Sequence, residues 1–274
     1  QLDGRAASTE QPNLLLRPSM VVMNRSNAGG SELRLAVEGL GLASSMTGKR
    51  FTRLANAADS SRERLQQKAL QEAIKAGLRD HEFILYAQPI QPLQPGSDDK
   101  LHCELLLRWQ TADGKILQPG QFLPAAEQAG LMGSIDRYVI DRLLALLQQQ
   151  PQLAARFGKF AINLSGASLS DPALPLWIAE RLRSTAVDPS TLCFEITESQ
   201  AIHNREQAGR LIDALRDLGA SVSLDDFGTG LATFDYLKQF RFDYLKIDGS
   251  FVRELASSTT DQAIVRAMVS VAKT

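Results

Sequence analysis

The chain has 274 residues, of which 44% are hydrophobic and 22% are charged. This composition is ordinary for a soluble globular protein, and the length suffices for one large domain or two smaller ones. The net charge of −1 provides no electrostatic basis for binding nucleic acid or an anionic membrane surface. No apolar run approaches the roughly 18 residues that a membrane span requires.

The cysteines and histidines argue against two further classes, disulfide-rich proteins and zinc-binding proteins. Cys103 and Cys193 lie in apolar stretches, which predicts reduced core thiols and no disulfide framework. The three histidines form no zinc-binding motif. The chain begins with Gln1 and has no signal-peptide pattern, so we expect a cytoplasmic fragment, with any membrane tether encoded upstream.

Residues 1–60 are weakly patterned and predict a leader or the remnant of an upstream domain. Within them, GLASSMTGKR (41–50) resembles a phosphate-binding loop. However, Ala43 stands where that motif needs glycine, and Arg50 stands where it needs serine or threonine. We therefore expect no nucleotide site there, and we assign residues 61–274 to a separate domain.

Helices and strands alternate from residue 60 onward. A serine cap at Ser60 and an apolar stripe predict a helix over 60–78 that ends near Gly77. Strands are predicted at 83–90, 101–109, 160–165, 192–199, 221–226 and 242–248. Further helices are predicted at 119–130, 134–149, 174–185, 204–220, 234–240 and from 260 onward. Such alternation is typical of parallel βαβ units, in either an open doubly wound sheet or a (β/α) barrel.

Alternate residues of five predicted strands differ in polarity. In FAINLS, Phe160 and Ile162 share one face, and Asn163 lies on the other. The polar faces of the other four strands carry Glu104 with Arg108, Glu195, Asp225 and Lys246. An open sheet covered by helices on both sides would have more uniformly apolar strands, whereas a barrel gathers polar residues at its C-terminal rim. The pattern therefore favours the barrel.

The stretch SLDDFGTG (223–230) places two adjacent aspartates before a glycine-rich bend. Neighbouring strand residues point to opposite faces, so either Asp226 is a solvated loop acid or the bend returns it beside Asp225. Gly228 and Gly230 would permit such a bend. Crowded carboxylates repel unless a cation neutralises them, and oxygen ligands favour Mg²⁺ or Mn²⁺ over zinc. Two such ions suit phosphodiester hydrolysis.

Taken singly, these residues have plainer interpretations. Glu198 alone would be solvated or cap a helix, Asn163 would cap a turn, and Lys246 would be a surface lysine. As members of one set, Lys246 would hold the nucleophilic water or a phosphate oxygen, and Arg108 a phosphate or a guanine edge. The triplet DFG (226–228) also matches the kinase metal-binding triplet, but the companion kinase motifs are absent. The residues alone thus predict a metal-dependent barrel enzyme.

Seven stretches match one protein family in order: YAQPI (86–90), ELLLRW (104–109), FLPAAEQAGLM (122–132), INLS (162–165), FEITES (194–199), LDDFGTG (224–230) and LKIDGSFV (245–252). Through them the chain resembles, over roughly residues 62–274, the EAL domain family of bacterial cyclic di-GMP phosphodiesterases. The resemblance implies an α/β fold, a TIM-like (β/α)8 barrel of the EAL type with an antiparallel first strand. It also implies hydrolysis of cyclic di-GMP to linear pGpG with Mg²⁺ or Mn²⁺.

The resemblance implies roles for individual residues as well. The implied ligands of a two-metal site are Glu104, Asn163, Glu195 and Asp225, with Asp226 beside the second metal. Lys246 is similar to the water-positioning lysine, and Glu198 to the residue that steadies the DDFGTG loop. Contacts with cyclic di-GMP are implied for Gln88, Arg108 and Pro124.

The chain departs from the family in two places. Leu105 replaces a small residue in the signature triplet, but it is predicted to face the helices, so we expect a repacking cost and not the loss of a metal. The sequence also stops at VAKT, whereas the family continues with two strands that carry a glutamate and a glutamine. We therefore expect the barrel formed by this sequence to lack its last two strands, which would leave strand edges without hydrogen-bond partners.

Three functions remain open on this sequence. The first is a cyclic di-GMP phosphodiesterase, and the second is a degenerate EAL domain that binds cyclic di-GMP and signals through a protein partner. The third is a metal-dependent barrel enzyme with another substrate. Family resemblance also implies a homodimer formed through the loop and helix after Asp226, and an upstream GGDEF or sensor domain.

Overall fold

The structure is a computed structural model that describes residues 14–16, 52–93, 100–229 and 234–273, with side chains from residue 65 onward except at 234–235. The segment at 41–50 that resembles a phosphate-binding loop, and Gly230, lie outside the described residues. No helix in the described part of the chain is long and apolar enough to cross a membrane.

Eight strands and nine α-helices make up the described part of the chain. The strands are β1 (Leu14–Leu16), β2 (Phe83–Ile90), β3 (Leu101–Gln110), β4 (Ile116–Leu117), β5 (Phe157–Asn163), β6 (Leu192–Thr197), β7 (Ser221–Phe227) and β8 (Tyr244–Ile247). The helices are α1 (Thr52–Arg79), α2 (Pro119–Gln128), α3 (Met132–Gln149), α4 (Pro151–Arg156), α5 (Gly166–Leu169), α6 (Leu174–Thr185), α7 (Glu198–His203), α8 (Arg205–Asp217) and α9 (Thr259–Ala272). Short 3₁₀ helices span Pro189–Thr191, Phe234–Lys238 and Gly249–Phe251.

The strands form one sheet in the order β1-β2-β3-β5-β6-β7-β8, and β4 pairs with the end of β3. The pairs from β3 through β8 along this order are parallel, whereas β2 pairs with β3 in the antiparallel sense. The predicted antiparallel first strand of the domain is therefore confirmed. Among the described residues β8 pairs with β7 alone, so the TIM-like arrangement is not closed into a ring there.

Helices cover the apolar face of this sheet. Phe160, Ile162, Phe194, Ile196 and Leu224 are fully buried, as the period-two pattern predicts for the helix-facing side. They form the main core with apolar residues of α3, α6 and α8, among them Ile140, Leu143, Ile178, Leu182, Leu211 and Leu215. Burial of these side chains orients the strands so that their alternate residues point away from the helices.

A second core joins α1 to the sheet. Ile74 of α1 packs with Phe83, Trp109 and Phe122, and the indole Nε1 of Trp109 donates to Glu82 Oε2 at 2.9 Å. Helix α1 therefore belongs to the same packed unit as β2 and β3. The domain boundary near residue 60 stays a prediction, and α1 begins before it, at Thr52.

The predicted bounds of α1 are wrong at its start. Ser60 lies within the helix and does not cap it. Gly77 does not end the helix either, since α1 continues to Arg79. A Cβ atom added at Gly77 would lie 3.0 Å from Trp109 Nε1 and 3.2 Å from Phe83 Cε2, so glycine here allows the helix to approach the aromatic cluster closely.

Two other predicted elements differ in the structure. The strand predicted to reach residue 199 ends at Thr197, whose hydroxyl accepts from Gln200 N and caps α7. The helix predicted at 234–240 is a 3₁₀ helix over Phe234–Lys238. In the first case a capping residue ends the strand sooner than the apolar alternation indicates.

Both cysteines are buried and unpaired, as predicted. Burial raises the pKa of the Cys103 and Cys193 thiols to about 12. They are therefore neutral core side chains at physiological pH.

Leu105 lies in the main core with 4% of its surface exposed, and its cross-strand partner is Ala87 of β2. The small side chain of Ala87 leaves room for the larger residue opposite. This placement agrees with the prediction that Leu105 faces the helices.

We expect Leu105→Ala to lower the free energy of unfolding by about 2–5 kcal/mol, because it leaves a cavity in a packed core. Urea denaturation followed by circular dichroism would measure the loss. The matched control is Leu176→Ala, since Leu176 is 61% exposed on α6 and should change stability by less than about 0.5 kcal/mol. Equal effects of the two substitutions would contradict the assignment of Leu105 to the core.

Candidate active site

Five strands bring polar side chains to one mouth of the sheet. Asn163 at the end of β5 pairs directly with Glu195 of β6, and its amide Nδ2 donates to Glu104 Oε1 of β3 at 2.9 Å. Lys246 Nζ of β8 donates to Glu195 Oε2 at 2.7 Å and to Glu104 Oε2 at 3.1 Å. Asp225 Oδ2 of β7 lies 3.2 Å from the same ammonium. Five residues of the predicted set therefore form one contiguous cluster, which we call the mouth cluster: Glu104, Asn163, Glu195, Asp225 and Lys246.

The electrostatics of the mouth cluster are dominated by three carboxylates around one ammonium. Burial raises the pKa of Glu195 to about 7, while Lys246 opposes that shift. Burial alone would lower the pKa of Lys246, but Glu195, Glu104 and Asp225 outweigh it and hold the pKa above its ordinary value. Lys246 is therefore charged throughout the physiological range and compensates part of the negative charge.

The second aspartate sits on the bend itself. Asp226 has a backbone φ of 56°, and its N–H donates to Asp225 Oδ1 at 2.9 Å. Burial, followed by the neighbouring Asp225, raises the pKa of Asp226. Gly228 continues the bend with φ 102°, in agreement with the role predicted for it. The pairing of β7 with β8 is irregular between Leu224 and Phe227, which is where the bend occurs.

Glu198 anchors this bend from the next element. It is 2% exposed at the start of α7, so it is not a solvated acid. Its Oε2 accepts from Gly228 N at 2.9 Å, and its Oε1 accepts from the Tyr236 hydroxyl at 2.6 Å. Sequence reasoning missed Tyr236, which is fully buried. The available signal was a tyrosine in an apolar stretch, because a buried phenol oxygen needs a hydrogen-bond partner.

The three residues predicted to contact the ligand occupy different positions. Gln88 of β2 lies directly opposite Glu104. Arg108 lies four residues beyond Glu104 in β3, opposite Ile84, and its guanidinium is 5.4 Å from the centre of the Tyr86 ring. Its Nη1 donates to Leu107 O at 2.8 Å, whereas its buried Nε has no hydrogen-bond partner among the described residues. Pro124 is exposed within α2, and no contact joins it to the mouth cluster in the described residues.

The mouth cluster offers the donors that a hard divalent cation prefers. Three carboxylates and an amide carbonyl are oxygen ligands suited to Mg²⁺ or Mn²⁺. Within the described ranges, however, no three His, Cys, Asp or Glu side chains are arranged to hold an ion as they stand. In the structure the Lys246 ammonium lies among these carboxylates, 2.7–3.2 Å from an oxygen of each.

Fold and site together define a TIM-like α/β domain with an acidic mouth at the carboxyl ends of its strands. The EAL domain family matches residues 67–274, and the chain belongs to this family. The resemblance noted in the sequence is therefore confirmed.

Two relatives illustrate the family. The chain is 40% identical over 200 residues to the cyclic di-GMP phosphodiesterase PdeB of Shewanella oneidensis. The aligned region makes up 73% of this chain and 23% of the relative. It is 35% identical over 213 residues to the cyclic di-GMP phosphodiesterase PdeF of Escherichia coli, covering 77% of this chain and 28% of the relative. The chain thus spans about a quarter of the length of these relatives.

Solved structures show the same fold. The FimX EAL domain of Pseudomonas aeruginosa bound to c-di-GMP matches with a TM-score of 0.67 and 32% identity, over 73% of this chain and 79% of that chain. A complex of the PaMucR phosphodiesterase with c-di-GMP matches with a TM-score of 0.65 and 32% identity, over 75% and 82% of the two chains.

The raised pKa of Glu195 predicts how stability depends on pH. Its folded-state pKa of about 7 lies above the ordinary value of 4.5, so the folded protein binds the proton more tightly than the unfolded chain does. Stability is therefore expected to fall as the pH rises from about 4.5 to 7, by at most about 1.4 kcal/mol per pH unit from this group.

Urea denaturation at several pH values, in the presence of a chelator, would measure this slope. Glu195→Gln should flatten it, because the amide does not titrate. Glu206→Gln on the exposed face of α8 is the matched control and should leave the slope unchanged. A slope as steep in Glu195→Gln as in the unmodified chain would contradict the assignment.

Proposed function

We propose that this chain hydrolyses cyclic di-GMP to linear pGpG with Mg²⁺ or Mn²⁺. The observation that carries the proposal is the convergence of three carboxylates and Asn163 on Lys246 at one mouth. Relatives named cyclic di-GMP phosphodiesterases, and related domains crystallised with c-di-GMP, support the choice of substrate.

The proposed metal ligands are oxygen donors of the mouth cluster. Glu104, Asn163, Glu195 and Asp225 would hold the cations, with Asp226 beside the second one. Bound divalent ions supply an acidified water and neutralise charge on the phosphate. Displacement of the ammonium from its carboxylates would free Lys246 for other hydrogen bonds.

The remaining residues position the reacting groups. Lys246 Nζ is a donor for the attacking water or for a phosphate oxygen. Arg108 Nε, which has no partner among the described residues, is a donor for a phosphate or for guanine. Gln88 and Pro124 complete the proposed ligand contacts. The water oxygen bonds to phosphorus as one P–O3′ bond breaks, and the proton that the water loses ends on the released 3′-oxygen. Glu198 keeps the Asp225–Gly228 bend in place during this step.

The second candidate is a receptor that binds cyclic di-GMP without cleaving it. Lys246 contacts Glu104, Glu195 and Asp225 and compensates part of their negative charge. This compensation by a protein side chain favours a domain that binds the ligand through residues such as Arg108 and Gln88 and signals through a protein partner.

Incubation of the full chain with cyclic di-GMP and Mn²⁺, followed by anion-exchange chromatography, tests the proposal. We expect pGpG to form, and Lys246→Ala to reduce the rate by about 100-fold or more, as loss of a preorganised donor does. The matched control is Lys115→Ala, since Lys115 is exposed and pairs with Asp113. Bound but intact ligand would support the receptor, and absence of binding would support another substrate.

We further propose a homodimer formed through the loop after Asp226 and the 3₁₀ helix Phe234–Lys238. Family resemblance supports this interface. An upstream GGDEF domain is likewise proposed, since a related Vibrio cholerae structure contains a GGDEF and an EAL domain in one chain. A monomer in light scattering at high protein concentration would contradict the dimer.

A further inference from the structure

A buried acid outside the mouth cluster is hydrogen-bonded to the segment that follows β5. Asp136 of α3 is 5% exposed. Its Oδ2 accepts three hydrogen bonds, from Ser165 N at 2.8 Å, Ser165 Oγ at 2.6 Å and Ser168 Oγ at 2.6 Å. Burial of a carboxyl group is costly unless such donors compensate it. All three donors belong to one short stretch, so the cost is offset only while that stretch keeps its conformation.

This stretch begins two residues after Asn163, the member of the mouth cluster that comes from β5. Leu164 N donates to Glu195 O at 2.9 Å, which ties the same backbone to β6. Asn163 itself is exposed at the strand end, and its amide donates to Glu104. The position of the Asn163 side chain therefore depends on a backbone that β6 holds at Leu164 and α3 holds at Ser165.

A second contact between α3 and this region lies farther from the mouth. Arg137 Nη2 donates to Asp171 Oδ2 at 2.7 Å, and its guanidinium stacks 4.7 Å from the centre of the Trp177 ring. Asp171 is eight residues beyond Asn163 in the sequence. Helix α3 thus fixes both ends of the connection between β5 and α6, and only the Asp136 contact adjoins the site.

We propose that Asp136 is a positioning residue for Asn163: it fixes the backbone after β5 so that the Asn163 amide stays directed at Glu104. The inference rests on the proposed function for its consequence, since the oriented amide oxygen is a ligand for the divalent cation. Loss of Asp136 would leave the fold of the barrel intact but weaken the cation site. Groups that orient metal ligands indirectly typically contribute about 10–100-fold in affinity.

Three variants of the full chain test this role. Asp136→Ala removes the acceptor, whereas Asp136→Asn keeps an oxygen that accepts from Ser165 N. Leu144→Ala removes a buried side chain from the same helix and is the control for lost stability. Two measurements are made: Mn²⁺ binding by electron paramagnetic resonance, and hydrogen exchange of the backbone amides of residues 163–169.

We expect Asp136→Ala to weaken Mn²⁺ binding by about 10-fold relative to Leu144→Ala and to speed exchange at 163–169 in particular. Asp136→Asn should restore most of the binding. Equal Mn²⁺ affinity in Asp136→Ala and Leu144→Ala would overturn the proposal, as would a loss in Asp136→Asn as large as in Asp136→Ala.

Failure of the proposed function gives a different result. If the unmodified chain binds no Mn²⁺, the metal-dependent activity is rejected, and hydrogen exchange alone decides the role of Asp136. Faster exchange confined to 163–169 in Asp136→Ala then supports its hold on the Asn163 backbone. Unchanged exchange there overturns it.

Discussion

Mutual repulsion among buried acids is the constraint around which this mouth is arranged. Glu195 is almost fully buried, and the Lys246 ammonium that contacts it also contacts Glu104 and Asp225. Such a group of like charges is unstable without a counter-charge. Lys246, from the last described strand, provides that charge in the structure.

The mouth cluster is positioned by the alternation of side chains along each strand, because successive residues point to opposite faces of the sheet. Apolar residues such as Phe194 and Ile196 are buried against helices, so that Glu195 between them must point to the opposite side. The bend after β7 is the exception to this regularity. There, Glu198 accepts one hydrogen bond from Gly228 N of the bend, and a second hydrogen bond, from the Tyr236 hydroxyl, fixes the Glu198 carboxylate.

Much of this arrangement could be predicted because strand periodicity and residue type are local signals. The alternation around Asn163, Glu195 and Asp225 predicted which side chains share a face, and the seven family motifs predicted the fold. What could not be predicted depends on distant contacts. The left-handed backbone of Asp226 follows from the bend as a whole, and the need for glycine at position 77 follows from Trp109, which is 32 residues away in the sequence. The hydrogen bonds from Ser165 to Asp136 likewise join a loop to a helix, and no sequence pattern relates these two segments.

The reversed direction of β2 has a consequence for how the polypeptide enters the domain. Because β2 runs against β3, its first residue, Phe83, pairs with Trp109 near the carboxyl end of β3. The 28-residue helix α1, about 42 Å long at 1.5 Å per residue, ends just before this point. A parallel first strand would have brought its preceding helix to the far side of the sheet. Instead, the incoming segment meets the sheet at the Phe83–Trp109 pair, five residues along the two strands from the Gln88–Glu104 pair.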